Sequence, residues 1–251
     1  MLTFLSCKSN GNGEKKSSLK DSKHPVETFK APSYEGKTGK VIGVVKLIGD
    51  IPEMPTLQMG SDPACAKVKT KAETVLADAQ GFLANTVVRV KPGTAPTQTS
   101  KAPVLVDQVD CLYRPRVQMA LSGQDIRVSN SDKTFHNVHA SKLESGKRQA
   151  TDTILNQAQP EGAGAIDVPS LGEDVVKLKC DTHGWMTGFV VVSDNIFGSV
   201  SGAHGAFELE APVGELQIQA WHEYFGVQTF EVTVSENQSS KLEIEFEVAT
   251  Q

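Results

Sequence analysis

Long apolar runs are the first thing this chain of 251 residues lacks. No stretch of about 18 apolar residues occurs, so no segment reads as a membrane-spanning helix. No long amphipathic helical pattern stands out either. A Cys-x-x-Cys-His run is missing, which excludes covalently attached haem of the c type. No Ser-His-Asp set or carboxylate pair stands at a useful spacing, so the chain is not expected to be an enzyme. Positive charge is short as well: 25 Lys and Arg against 30 Asp and Glu leave a net charge of -5, which argues against nucleic acid as a partner. Cysteine and methionine are scarce, at four and five, so each of those that cluster asks for a reason.

The beginning of the chain is unusual. Met1-Leu2-Thr3-Phe4-Leu5-Ser6-Cys7 is apolar and ends in a small residue followed by Cys. It resembles the tail of a bacterial lipoprotein signal, in which Cys7 would take the lipid. It has no basic leading region, and its apolar run is shorter than the roughly 7–15 residues of a signal core, so the expected start lies within a longer signal. The following residues are rich in Ser, Gly, Asn and Lys and cannot bury enough surface to offset their ordering entropy. Residues 1–37 are therefore expected to be a signal remnant and a disordered tether. The resemblance implies a protein outside the cytoplasm, in the periplasm or outer envelope, expected to touch a membrane only through its lipid.

Beyond the tether the pattern is all-β. Val41 to Ile48, Asn85 to Val90, Val104 to Val106, Leu112 through Met119, Ile126 to Val128, Phe135 to Ala140, Val175 to Cys180 and Gly188 to Val192 read as short strands between turn signals. Asp62 to Leu76 is the best helix candidate, kept short by Pro63 and β-branched residues. Thr94 to Lys101 reads as an exposed loop, and Ser141 to Leu171, polar and glycine-containing, as mostly loop. From Asn195 onward apolar and polar residues alternate, cleanly so in Gln228 to Val234 and Leu242 to Val248, as in half-buried antiparallel strands. That segment holds nine Glu and one Lys. The expected organisation is residues 38–194 as one β-sandwich with an N-terminal extension, and residues 195–251 as a small acidic β-sandwich.

The chemistry concentrates in Cys180-Asp181-Thr182-His183-Gly184-Trp185-Met186. A thiolate, an imidazole and a thioether lie in one loop between two strong β runs. Phe135-His136-Asn137-Val138-His139 offers a second imidazole from an earlier strand. Two histidines, one cysteine and a weak axial methionine are the ligands of a blue-copper site, soft enough for Cu(I) and acceptable to Cu(II). Zinc also takes Cys and His, but Met is a poor zinc ligand. Copper storage or delivery sites are the nearer rival, although they ordinarily carry several Met. His136 and His139 are an odd number of positions apart and point to opposite faces of an extended strand, so only one should reach the metal. Cys65 and Cys111 remain as a pair. An oxidising compartment would permit a disulfide, contributing roughly 4 kcal/mol in the chain-entropy model; two buried free thiols are the other possibility.

Cys-x-x-His-x-x-Met preceded by His-Asn resembles the cupredoxins, the plastocyanin-like blue-copper proteins, with the short ligand loop of amicyanin-type members. The likeness covers about Val104 to Asp194. With Asp107-Gln108, Cys111-x-Tyr113-x-Pro115, Ser129 to Asp132 and Trp221-His222-Glu223, the longer pattern resembles bacterial exported forms that carry a C-terminal carboxypeptidase-regulatory-like or carbohydrate-binding-like sandwich. The resemblance implies a cupredoxin-like Greek-key fold and one type 1 copper ion. His136, Cys180, His183 and Met186 would be its ligands, Asn137 would brace the loop, and His139 would be a core residue or the competing ligand. Single-electron transfer follows, with His183 as the exit to the surface and Gly184 and Trp185 as an apolar docking patch. A c-type cytochrome or a membrane oxidoreductase is the expected partner. The contrasting expectation is a module that binds carbohydrate or an envelope protein. His222 is expected at an exposed or interface position, the alternatives being a residue packed against the copper domain or a second metal site, and His204 is expected to face solvent.

Overall fold

The computed structural model describes residues 32–143, 150–170, 172 and 175–248. Cys7 and the tether up to residue 31 lie outside the described residues. The chain forms β1 (Thr38–Ile48) and β2 (Val87–Val90), joined by a long connection whose one helical piece is a 3-10 turn at Cys65–Lys67. Then follow β3 (Val104–Val109), β4 (Leu112–Arg114), β5 (Val117–Leu121), β6 (Ile126–Asn130) and β7 (His136–Leu143). β8 (Thr153–Gln159), β9 (Ile166–Val168), β10 (Val175–Lys179) and β11 (Thr187–Ser193) complete the middle of the chain. β12 (Gly198–Val200), β13 (Ala206–Pro212), β14 (Gly214–His222), β15 (Gly226–Val234) and β16 (Ser239–Glu247) form its C-terminal part.

These strands make four sheets, ordered β4-β3-β6-β9, β5-β11-β10-β7-β8, β12-β2-β14-β15 and β13-β1-β16. Side-chain parity stacks them in that order. In β10 and β11, Val176, Leu178, Val190 and Val192 face a core shared with Val106, Ile126 and Val128 of the first sheet. Their neighbours Val175, Phe189 and Val191 point the other way, onto Val87 and Trp221 of the third sheet. Val88, Val90 and Ile218 then face Val41, Leu209 and Ile244 of the fourth. A sheet covered on both faces needs continuous apolar runs rather than alternation, which is why Phe189 to Val192 is apolar without a break.

The chain is all-β, as its sequence pattern implies, but four local expectations are corrected. First, the division at 194/195 does not follow the sheets. β1 pairs antiparallel with β13 and parallel with β16, and β2 lies between β12 and β14. A strand's alternation shows that one face is buried, but its partner is fixed by contacts far away in sequence. Second, Asp62 to Leu76 is irregular apart from Cys65–Lys67; a disulfide from Cys65 to Cys111 holds it against another part of the chain. Third, Ser141 to Leu171 contains β8 and β9. β8 is an edge strand with most of its side chains exposed, so it carries little apolar periodicity to read. The expected single strand from Leu112 to Met119 also divides at Arg114-Pro115, where the chain passes from the first sheet to the second. Proline has no N–H to give a ladder.

A buried ion pair joins the two halves of the stack. Arg116, between β4 and β5, meets Glu223, at the β14–β15 turn, in two parallel bonds of 2.6 and 2.8 Å. The side chains are only 8% and 6% exposed. Burial pushes the Glu223 carboxyl up, and Arg116 pulls it back. His222 is fully buried beside this pair, which corrects the exposed or interface position expected for it. Its Nδ1 accepts from the Tyr224 N–H at 3.1 Å, and its ring packs on Phe225 and Phe246. His204 is exposed as expected, with Asp78 at 3.1 Å.

Two predictions follow from this packing. Glu223→Ala leaves the Arg116 charge buried without its partner and should lower stability by about 3–5 kcal/mol, read from the urea midpoint; a loss under about 1 kcal/mol would contradict the role given to the pair. Burial, helped by Arg116, lowers the His222 pKa from 6.5 to about 3. The unfolded chain therefore binds this proton at a higher pH than the folded chain does. Stability from this residue is present above pH 6.5 and is lost as pH falls toward 3, at up to about 1.4 kcal/mol per pH unit. Unfolding free energies measured between pH 7 and 4 should show a shallower slope in His222→Gln than in the parent chain.

Candidate metal centre

β7 and β10 are neighbours in the second sheet, with Lys179 opposite His139 and Leu178 opposite Ala140. Parity decides which side chains look inward. Val138 and Ala140 of β7 face the core shared with the first sheet, as do Val176 and Leu178 of β10. His136 and Cys180 share that parity and arrive at the same end of the core, both fully buried. The loop from Cys180 to Met186 closes on itself: the Met186 N–H donates to the His183 carbonyl at 2.9 Å, and the Cys180 N–H to the Met186 carbonyl at 3.4 Å. This turn brings His183 back over Cys180 and buries Met186 in the core that contains the cysteine.

The result is a cluster of three ligand atoms, one each from His136, Cys180 and His183, all within 4.8 Å of one another. His136 Nδ1 and His183 Nδ1 are 2.9 Å apart, and Cys180 Sγ is 3.8 Å from His183 Nδ1. Each imidazole is held at its far nitrogen by a carboxylate. Asp132 Oδ2 lies 2.9 Å from His136 Nε2, and Asp62 Oδ2 lies 3.2 Å from His183 Nε2. Such an arrangement keeps the proton on Nε2 and turns the Nδ1 lone pair inward. Two lone pairs and a sulfur then converge on one buried point, which suits a cation. The set of two imidazoles and one thiolate, with a thioether in the same loop, fits copper.

Without a metal, the electrostatics set a Cys180 thiolate against a protonated His136, whose inner proton a bound ion would displace. Burial raises the Cys180 pKa, but His136 and the backbone N–H groups of Asn137, His183 and Thr182 outweigh it, so the thiol sits below its ordinary value. Burial likewise opposes a charge on His136, yet Asp132 and Cys180 lift its pKa to about 9. Burial, then the neighbouring His136, lowers that of His183. Asp62 is held down, chiefly by the Thr134 hydroxyl, which donates to Oδ2 at 2.6 Å. The thiolate that a soft metal requires is thus favoured by the fold itself.

The other expected residues fall around this cluster. Asn137 accepts from the Asp181 N–H at 2.6 Å and donates to Asn156 at 2.7 Å, tying the ligand loop to β7 and β8. His139 lies on the opposite face of β7 and does not reach the cluster; its Nδ1 stands 2.8 Å from Asp181. Gly184 is exposed, while Trp185 is half-buried, with its indole N–H donating to the Cys111 carbonyl at 3.1 Å and its ring 4.9 Å from that of His183. His183 is the main correction: it was expected at the surface and is 2% exposed. The β1–β2 connection covers it. Cys65 and Cys111 form a disulfide, and Met59 and Cys65 sink into the core beside the site. Asp62 and Asp132 were not expected as participants. Asp62 is 121 residues from His183 in the chain, and neither carboxylate belongs to a local ligand pattern.

No family model matches this chain, and no curated protein does. Among solved structures it is similar to an amicyanin variant in its Cu(I) form, at 18% identity and TM-score 0.30, over 36% of this chain and 82% of that one. It is similar to a reduced amicyanin variant at 17% identity and TM-score 0.31, over 42% of this chain and 98% of that one. It is also similar to a copper-containing nitrite reductase from Thermus scotoductus SA-01, at 18% identity and TM-score 0.32, over 43% of this chain and 26% of that one.

The disulfide closes a separation of 46 residues. Replacing both cysteines with Ser should cost about 2–5 kcal/mol of stability and speed proteolysis within residues 54–72. Equal stability and equal cleavage would contradict a structural role for this bond.

Proposed function

We propose that this chain is a type 1 copper protein that carries single electrons between redox partners in a bacterial cell envelope. The observation that carries the reading is the buried convergence of His136 Nδ1, His183 Nδ1 and Cys180 Sγ, with the outer nitrogen of each imidazole held by a carboxylate. His136, Cys180 and His183 would hold the ion, and Met186 would be its weak axial ligand. Copper, when bound, supplies one-electron redox chemistry.

The chain's own residues supply rigidity. Asn137 fixes the start of the ligand loop, and the Tyr113 hydroxyl lies 3.1 Å from the carbonyls of both Asn137 and Lys179, across the two strands that carry His136 and Cys180. A geometry held this firmly resists rearrangement when the charge changes. The β1–β2 connection, a strap over His183, and the half-buried Trp185 exclude water from the same point. Encounters with a partner such as a c-type cytochrome or a membrane oxidoreductase should be brief and small in area. The acid-rich C-terminal strands favour a basic partner, and a lipid on Cys7 would keep the protein near the envelope membrane.

The test is optical. Oxidised, copper-loaded protein should show an intense visible thiolate-to-copper charge-transfer band. Cys180→Ser and His136→Ala should abolish it, whereas His139→Ala should keep it. Loaded protein without the band, or a band that survives Cys180→Ser, would overturn the reading.

A further inference from the structure

The segment that covers His183 does not belong to the sheets that carry the metal ligands. β1 lies in the fourth sheet and β2 in the third, and their connection leaves that half of the stack to reach the end of the core that holds His136 and Cys180. Besides the Arg114–Glu73 ion pair at 2.6 and 2.7 Å, three attachments hold it beside the cluster. The Cys65–Cys111 disulfide is covalent, Met59 is buried in the core, and the Thr134 hydroxyl donates to Asp62 at 2.6 Å. Asp62 is itself preformed: Oδ1 accepts from the Ala64 N–H at 2.7 Å, which leaves Oδ2 facing His183 Nε2 at 3.2 Å.

The charges around the cluster give this contact a consequence. One thiolate would neutralise a Cu(I) ion by itself and leave Cu(II) with one positive charge. Two further carboxylates, Asp62 and Asp132, stand one imidazole away from the same point. A carboxylate on the outer nitrogen makes an imidazole a stronger donor, and added negative charge in a dry site favours the more highly charged ion.

We propose that Asp62, delivered by the disulfide-tied strap, is a positioning residue. It holds the His183 ring with Nδ1 toward the thiolate and favours Cu(II) over Cu(I), lowering the reduction potential of the site. This rests on the copper reading above. It also means that the covered imidazole edge of His183 is a place of electrostatic control rather than an open port to solvent.

The experiment uses the full chain loaded with copper, as the parent, as Asp62→Asn and as Asp62→Glu. Glu208→Gln, on β13 of the fourth sheet, is the control. Potentials come from titrating the visible band, and affinities from competition with chelators for each oxidation state. Asp62→Asn should weaken Cu(II) binding by about 10–100-fold while Cu(I) binding changes less. Each tenfold difference between the two states raises the potential by about 59 mV. Asp62→Glu should recover most of the shift, and Glu208→Gln should leave the potential where it was. The Cys65→Ser, Cys111→Ser double variant, which frees the strap, should shift it in the same direction as Asp62→Asn. A blue Asp62→Asn protein with the parent's potential would overturn the inference, as would equal losses of both oxidation states. A parent chain with no blue band would instead overturn the copper reading, and the inference would fall with it.

Discussion

Two imidazole nitrogens 2.9 Å apart, with a thiolate sulfur beside them, make a costly arrangement in a dry core. Lone pairs that face one another repel unless a proton or a cation stands between them. The outer contacts with Asp62 and Asp132 prevent the rings from turning away, and the closed loop from Cys180 to Met186 prevents the backbone from relaxing. The rest of the molecule makes sense as the frame that sustains this constraint. The second sheet, packed on both faces, fixes the two strands that carry His136 and Cys180. The hydroxyl of Tyr113 bridges them from the first sheet.

The stack of four sheets contributes more than bulk. Its far half sends a long connection across to the metal end, where a disulfide and a buried methionine hold it. That connection seals His183, the imidazole of the cluster that a loop supplies. The Arg116–Glu223 pair locks the two halves at their junction, so the strap reaches over a surface whose position is already set. Stability in one half and geometry at the site in the other are linked through this path.

Much of the site can be read locally in the sequence. Cys-x-x-His-x-x-Met lies between two strong β runs, and parity along one strand separates His136 from His139. Cys65 and Cys111, the pair left over in the sequence reading, form the disulfide. The parts that sequence reading missed are those with no local signal. β8 lies at a sheet edge and carries little apolar pattern. β1 and β2 advertise a buried face but not the strands they pair with. His222 is a polar residue packed between Phe225 of its own turn and Phe246 of a distant strand, and Glu223 meets its cation from the other half of the stack. Asp62 looked like part of a short helix, and its role appears only when a disulfide brings it against a histidine 121 residues away. His183 was expected as the exit to the surface because it lies on a loop, and the strap covers it.

The most direct test is X-ray absorption at the copper edge, on loaded protein before and after one-electron reduction. The account predicts one short copper–sulfur bond from Cys180 and two imidazole nitrogens in both states, with little change in distances, because the ligands are held in place before the metal arrives. A coordination shell of nitrogen and oxygen without sulfur, or a ligand set that changes on reduction, would contradict it.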